Sequence, residues 1–214
     1  MIIYNPTDGN VLLTKIQYRP KTCFIITQLG NPIPPIITSI RQRLRKILAD
    51  NDITDIDAAS VVTGRDFLHK IWQILISVPL GIAIIDETMS SNTLCNIFYE
   101  IGLMQTLGKE TIVIKTENAK VPSDFVRTEY ISFGKDFNKK VKKYFQTTYL
   151  KLPDFYETIA DQLDRNPLLA IDYLRRSYLI TGKRTLQRKA KKLRKEAVSK
   201  DRAKNCVEQL LVDF

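Results

Sequence analysis

The stretch that decides the fold runs from residue 80 to residue 116 and reads LGIAIIDETMSSNTLCNIFYEIGLMQTLGKETIVIKT. An apolar run, Leu80–Ile85, ends at Asp86; a polar loop, a helix-length segment that contains Glu100 and a second apolar run, Thr111–Lys115, follow. Runs that are apolar at every position are typical of strands covered on both faces. The stretch therefore predicts a strand, a helix and a second, parallel strand. Parallel sheets bind their ligands at the carboxyl ends of the strands, where Asp86 would lie.

Strand-like and helix-like segments also alternate on both sides of this stretch. In chain order they are a strand at Thr22–Thr27, a helix over residues 37–48, a strand at Ala58–Val62, a helix at Phe67–Val78, a strand at Tyr130–Phe133 and a helix over residues 137–149. Such alternation predicts an α/β fold, with a mainly parallel sheet and helices on both faces. Beyond Pro153 the pattern is helical throughout, over Asp154–Leu163, Leu168–Leu179 and Gly182–Leu211. We therefore expect an α/β part over residues 1–150 and a basic C-terminal helical region over residues 151–214.

The composition of the 214-residue chain fits a globular protein with a core, since 44% of its residues are hydrophobic and 26% are charged. No run of about 18 apolar residues predicts a transmembrane helix, and the start, MIIYNPTDGN, does not resemble a signal peptide. Cys23, Cys95 and Cys206 are odd in number and lack metal-ligand spacing. These features predict a cytoplasmic protein with reduced cysteines, no membrane partner and no metal.

The positive charge is concentrated near the C-terminus. Residues 1–150 hold 18 Lys or Arg and 14 Asp or Glu, a balance of +4, whereas residues 151–214 hold 15 and 9, a balance of +6. The basic residues that we single out as a nucleic-acid or acidic-partner surface are Lys183, Arg184, Arg188, Lys189, Lys191, Lys192, Arg194 and Lys195. The alternative is a solvated helix face, and residues 183–204 hold no aromatic side chain on which bases would stack.

Helical phase places Glu100 on the face that should be buried. We expect the helix to be N-capped by Asn92 and to end at Gly108. At 100° per residue its apolar face comprises Leu94, Ile97, Phe98, Ile101 and Met104. Glu100 falls inside this arc, and Thr93 and Asn96 share its angular strip. Because a buried, unpaired carboxylate is costly, the polar ridge predicts a cleft above the sheet, near Asp86.

A carboxylate in such a cleft has a defined chemistry. It could attack an anomeric carbon, stabilise an oxocarbenium ion or act as an acid or base. The alternative is a structural glutamate that pairs with an arginine or caps a loop. Asp86 likewise either serves the site or caps the loop after its strand, and Arg65 either meets a phosphate or is a loop arginine. The single histidine, His69, has no second ligand at metal spacing, and we expect it to be a partly exposed helix residue.

The segment IAIIDETMSSNTLCNIFYEIGLMQTLGKETIVIKT resembles a family pattern of Asp, a short loop, Asn-hydrophobic-Phe-Tyr-Glu-hydrophobic-Gly and Gly-Lys before a strand. The pattern is that of the superfamily that joins nucleoside 2-deoxyribosyltransferase-like proteins with TIR-like nucleotide-binding proteins. The resemblance covers about residues 20–135 and is most specific over Asn96–Gly102. It implies a flavodoxin-like (Rossmann-like) fold that binds a nucleoside, a nucleotide or NAD as substrate or ligand, with no cofactor required.

The resemblance also implies roles for individual residues. Glu100 matches the glutamate that acts at the ribose C1′ as the base leaves, and Asp86 matches an acid that contacts the sugar or the base. Asn96 and Tyr99 match residues that shape the pocket. Many relatives have a small or Pro-Phe turn after the first strand that contacts the ligand, whereas this chain has Gln28, Leu29 and Gly30 there. By their position, Gln28 and Gly30 are candidate substrate-binding residues, with Thr93, Asn96, Tyr99 and Arg65.

These observations predict an N-glycosidic hydrolase or ribosyltransferase that acts on NAD or a related nucleoside or nucleotide. A role in bacterial antiviral defence is a further implication of the TIR-like resemblance. One alternative is a non-catalytic nucleotide sensor that signals through its helical tail, and another is a nucleic-acid-associated protein that uses its basic residues. The apolar residues of the tail also lead us to expect a homo-oligomer.

Overall fold

The computed structural model describes residues 9–10, 16–30, 32–61, 67–122 and 129–198. Its sheet consists of β1 (Thr22–Ile26), β2 (Thr54–Asp57), β3 (Leu80–Ile85), β4 (Glu110–Lys115) and β5 (Glu129–Ser132), in the order β2-β1-β3-β4-β5. All four pairs of neighbouring strands are parallel. This is the flavodoxin-like strand order, so the predicted fold class is confirmed.

Eight helices and one short 3₁₀ turn (Tyr149–Lys151) lie within the described ranges. The helices are α1 (Pro35–Asp50), α2 (Ala58–Val61), α3 (Phe67–Ser77), α4 (Ser91–Thr106), α5 (Phe137–Thr147), α6 (Leu152–Gln162), α7 (Pro167–Thr181) and α8 (Arg184–Val198). Helix α1 contacts α5, and α3 contacts α4. Right-handed crossovers in this strand order place α1 on one face of the sheet and α3 and α4 on the other.

The second strand is the element that the sequence pattern predicted wrongly. Ala58–Val61 is a short helix, and the strand lies just before it at Thr54–Asp57. Because β2 is an edge strand, its acids can reach arginines of α1: Asp57 pairs with Arg41, and Asp55 accepts from the Nε of Arg45 at 2.9 Å. The apolar-run criterion misses a strand that is held by ion pairs of this kind.

The centre of the core is β3, whose six residues are all buried. Gly81 lies opposite Met104 of α4, and a Cβ at this glycine would come within 2.3 Å of the methionine sulfur. The glycine therefore allows α4 to pack closely on β3. This close packing sets the position of the helix that carries Glu100.

The helices that follow α5 pack against the amino-terminal ends of the strands. The backbone N–H of Lys21, just before β1, donates to the carbonyl of Leu179 in α7 at 2.7 Å. Tyr156 and Ile180 join the main core, and Leu174 and Leu186 form a smaller cluster with Ala160. Residues 151–198 are thus mostly helical, as predicted, while the rest of the predicted tail lies outside the described residues. The turn-forming pair Asp8-Gly9 predicts a small hairpin before the core, and that segment also extends outside the described residues.

Candidate functional site

A cleft of about 240 Å³ opens between α3 and α4, beside the end of β1. Its lining residues are Thr27, Leu29, Leu68, Ile71, Trp72, Leu75, Thr93, Asn96, Ile97, Tyr99, Glu100 and Leu103. Thr27 follows β1 directly and donates from its hydroxyl to the carbonyl of Ile84, near the end of β3, at 3.2 Å. The strand order reverses between β1 and β3, and ligands of open α/β sheets bind at such a switch point.

Helix α4 supplies the polar wall of the cleft. Its N-cap is Ser90, whose hydroxyl accepts from the backbone N–H of Thr93 at 3.2 Å, so the expectation that Asn92 caps the helix was wrong. The predicted end at Gly108 is confirmed, because this glycine follows the C-cap residue with a φ of +65°. The helix starts earlier than predicted, yet the ridge of Thr93, Asn96 and Glu100 does face the cleft.

Glu100 is partly buried in surroundings that are mostly apolar. None of the residues that the structure describes donates a hydrogen bond to its carboxylate or forms an ion pair with it. Burial without a compensating partner raises the pKa of Glu100 to about 7. Near neutral pH the group therefore exists both as an acid and as a carboxylate, and either form faces the cleft.

Asp86 lies at the end of β3, as expected, but its contacts are within the following loop. The residue is 3% exposed, and its carboxylate accepts a hydrogen bond from the backbone N–H of Thr88 at 2.9 Å and another from the Thr88 hydroxyl. Asp86 is not among the described residues that line the cleft. The observed geometry is that of a loop cap, the alternative that the sequence left open for this residue.

The remaining predicted binding residues are divided between the cleft and other places. Tyr99 lines the cleft and is 55% exposed, which puts its ring at the rim. Gln28 and Gly30 do not line it, although Leu29 between them does. Arg65 lies outside the described residues.

Sequence reasoning missed part of the apolar wall. Leu68 of α3 is 64% exposed and lies at the rim, and Leu103 of α4 faces it from the other helix. The sequence alone does not distinguish a leucine at the rim of a cleft from a leucine in the core. Thr27 did carry a signal, because a polar residue at the end of an apolar strand is a common way to reach a switch-point site.

The predicted basic surface lies on and just before α8, away from the cleft-forming helices. The side chains of all eight residues, Lys183, Arg184, Arg188, Lys189, Lys191, Lys192, Arg194 and Lys195, are exposed. Leu186, Ala190 and Leu193 supply the packed side of the helix. Lys189 forms an ion pair with Asp161 of α6.

Within the described ranges, no group of three or more His, Cys, Asp or Glu side chains is placed to hold a metal ion. His69 lies within 3.0 Å of the amide nitrogen of Gln73 through its Nε2. No helix in the same ranges combines the length and the apolar character that a membrane span needs.

Comparison with known proteins gives a distant structural likeness. No family model matches the sequence, and no curated protein matches it. In structure the chain is similar to a 2-deoxyribosyltransferase from the psychrotolerant bacterium Bacillus psychrosaccharolyticus, a biocatalyst for the synthesis of antiviral and antitumoral nucleosides. The match has a TM-score of 0.43 and 12% identity, and it covers 57% of this chain and 91% of the other. At this distance no residue role is transferred from one protein to the other.

Proposed function

We propose that the cleft between α3 and α4 binds a nucleoside or nucleotide and that Glu100 acts at the C1′ atom of its sugar. The observation that carries the proposal is the Glu100 carboxylate itself, which lines an apolar cleft without a hydrogen-bond partner among the described residues. An unpaired, partly buried carboxylate destabilises the fold, so its presence is better explained by a ligand than by packing. The family resemblance of Asn96–Gly102 supports the same chemistry.

The proposed reaction is a displacement at the anomeric carbon. Ionised Glu100 attacks C1′, the C1′–N bond breaks, and its electron pair leaves with the base, which takes up a proton. Water or a second base then attacks C1′ and releases the carboxylate, so the reaction is a hydrolysis or a transfer. Asn96 and Thr93, on the same helical strip, lie where they can hydrogen-bond the sugar, and Tyr99 and Leu68 can cover the base at the rim.

The size of the cleft bears on the choice of ligand. Its volume of about 240 Å³ is just below the range of about 300–1,000 Å³ that is common for small-molecule sites. A nucleoside or mononucleotide is therefore our preferred ligand, because a dinucleotide such as NAD would have to extend over the rim. We extend the proposal to NAD as a second candidate substrate, and a role in antiviral defence belongs to that extension.

The test is base release from 2′-deoxynucleosides, nucleotides, NAD and NADP, followed by chromatography. We expect Glu100→Gln to lower the rate by at least about 10²–10⁴-fold. The wild-type rate should rise with pH through about 7, since attack needs the ionised carboxylate. Glu117→Gln removes an exposed carboxylate outside the cleft and is the matched control. Equal base release by wild type and Glu100→Gln would contradict the catalytic role.

A second candidate function is nucleotide sensing without turnover. It is favoured by Asp86, whose carboxylate is engaged by Thr88 and leaves Glu100 as the one carboxylate among the described lining residues. A sensor should show a rise in melting temperature with a nucleotide while releasing no base. Signalling through the helical tail would then require that this shift change when α8 is removed.

A further inference from the structure

We propose that α8 is a binding surface for the phosphate backbone of nucleic acids, independent of the cleft. The feature that carries the proposal is a single row of cations on the side of α8 that faces away from α7. With Leu186 and Leu193 marking the packed side, a rotation of 100° per residue puts four residues on the opposite side: Arg184, Arg188, Lys191 and Lys195. All four side chains are exposed.

The row is distinguished from an ordinary solvated helix face by its single sign. Exposed helices usually mix acids and bases at i, i+4 spacing, because opposite charges stabilise the helix and like charges destabilise it. Arg184 and Arg188 are four residues apart, and so are Lys191 and Lys195. The two like charges within each pair therefore repel each other. Asp161 of α6, an acid that lies beside the helix, is already paired with Lys189, which is not part of the row. A bound polyanion would replace this repulsion with attraction.

The geometry of the row fits phosphates. The eleven residue steps from Arg184 to Lys195 rise about 16 Å along the helix axis. That length matches the axial rise of about five phosphates in one strand of B-form DNA. The row contains no aromatic, Asn or Gln side chain for stacking or for reading base edges, so we expect binding to the backbone without sequence preference.

Two other classes of partner fit less well. Insertion into a membrane surface needs an apolar helix face, but Leu186, Ala190 and Leu193 are packed within the helical cluster. A stable protein interface needs a central apolar or aromatic anchor, and the four positions of the row offer none. Phosphate contacts need only exposed cations, which the row supplies.

The test uses the full chain, a fluorescent 30-base-pair DNA duplex, a single-stranded RNA of the same length, and vesicles with and without anionic lipid. We expect both nucleic acids to bind at 50 mM salt. With four phosphate contacts the duplex affinity should fall about 100-fold between 50 and 200 mM salt. The row variant R184Q/R188Q/K191Q/K195Q should lose most of the affinity and reduce the slope of log K against log salt by about 3 to 4.

The matched control removes four exposed lysines elsewhere, in K135Q/K139Q/K140Q/K143Q on and just before α5, and should keep its affinity within a few-fold. R184K/R188K retains the charges and should bind as wild type does. If the row variant loses helical signal in circular dichroism, the milder R188Q/K191Q should still reduce the slope by about 2. The proposal is overturned if wild type binds neither nucleic acid at 50 mM salt, if both quadruple variants weaken binding equally, or if anionic vesicles bind as tightly as the duplex.

Discussion

Helix α4 and the loop after it place one ionisable group at each end of the sheet. The two ends differ in the charged groups that surround it. Glu100, in the middle of the helix, faces the cleft near the carboxyl ends of the strands; Lys109, just after the helix, faces α7 at the amino ends. Burial is the main cause of the pKa shift at both, raising that of Glu100 to about 7 and lowering that of Lys109 to about 7. Arg175 also lowers the pKa of Lys109, whereas Asp172 opposes the shift.

The two ends of the sheet differ in the partners of their carboxylates. At the amino ends, buried Asp172 pairs with Arg175 and accepts from the Nε of Arg176 at 2.9 Å. The hydroxyl of Tyr156 donates to Glu110 at 3.1 Å in the same region. At the carboxyl ends, Glu100 has no such partner among the described residues. A buried carboxylate that is engaged by two arginines is typical of packing, whereas an unpaired one is typical of a ligand site, so the sheet has a structural end and a candidate functional end.

The largest effect on stability should come from breaking the network at the structural end. Asp172→Asn leaves Arg175 and Arg176 about one-quarter exposed and without their counter-charge. We expect the free energy of unfolding to fall by about 2–4 kcal/mol, as measured by urea denaturation. Asp161→Asn breaks the exposed pair with Lys189 and should change stability by about 1 kcal/mol or less. Similar losses in the two variants would contradict the view that the amino ends depend on Asp172.

The next largest effect should have the opposite sign and depend on pH. Because the pKa of Glu100 is about 7 in the folded protein and near 4.5 in the unfolded chain, the folded state binds more protons between these values. Stability then falls as pH rises from about 4.5 to 7, and the cost is complete above pH 7. Glu100→Gln removes this cost, so the variant should gain up to about 2–3 kcal/mol over wild type at pH 8 and almost nothing at pH 4.

Unfolding curves at the two pH values provide the measurement, with Glu117→Gln as the control. If the difference in the free energy of unfolding between Glu100→Gln and wild type is the same at pH 4 and pH 8, burial does not destabilise the ionised form of Glu100. The contrast between the two ends of the sheet would then be lost. Taken with the activity assay, a variant that is more stable and less active would identify Glu100 as a residue kept for function at the expense of stability.

Whether the sequence predicts an element of this fold depends on the interaction that stabilises that element. The elements β3, α4 and β4 are held by apolar burial, which leaves a periodic pattern, and all three were predicted. β2 is stabilised partly by ion pairs between its acids and Arg41 and Arg45 of α1, and a periodic pattern of apolar residues does not predict such contacts. Helical phase placed Glu100 in a cleft correctly, because phase depends on one helix alone. The hydrogen bonds from Thr88 to Asp86 could not be predicted from the sequence, since an acid in a switch-point site and an acid that caps a loop have the same local sequence.

A smaller effect is expected at Gly108, which follows α4 at the structural end of the sheet. The glycine has a φ of +65°, and an added Cβ would come within 2.4 Å of the Arg176 guanidinium. Gly108→Ala should therefore destabilise the protein by about 1–2 kcal/mol through backbone strain, with displacement of Arg176 in addition. Gly102→Ala lies in the interior of the same helix, where a Cβ would meet nothing within 4 Å, and should stabilise by about 0.5–1 kcal/mol. Thermal unfolding of both variants checks the opposite signs.

The smallest effect should come from the cap of α4, beside the cleft. Ser90→Ala removes the hydroxyl that accepts from the backbone N–H of Thr93 and should cost about 1 kcal/mol of stability. Ser90→Asp keeps an acceptor and adds a negative charge at the helix N-terminus, so it should match or exceed wild type. Because Thr93 and Asn96 lie in the first turns of α4, fraying should also weaken ligand binding in Ser90→Ala, measured as a smaller ligand-induced rise in melting temperature. A loss of stability with an unchanged ligand response would separate the cap from the cleft and confine the functional end to Glu100 and the wall of α3.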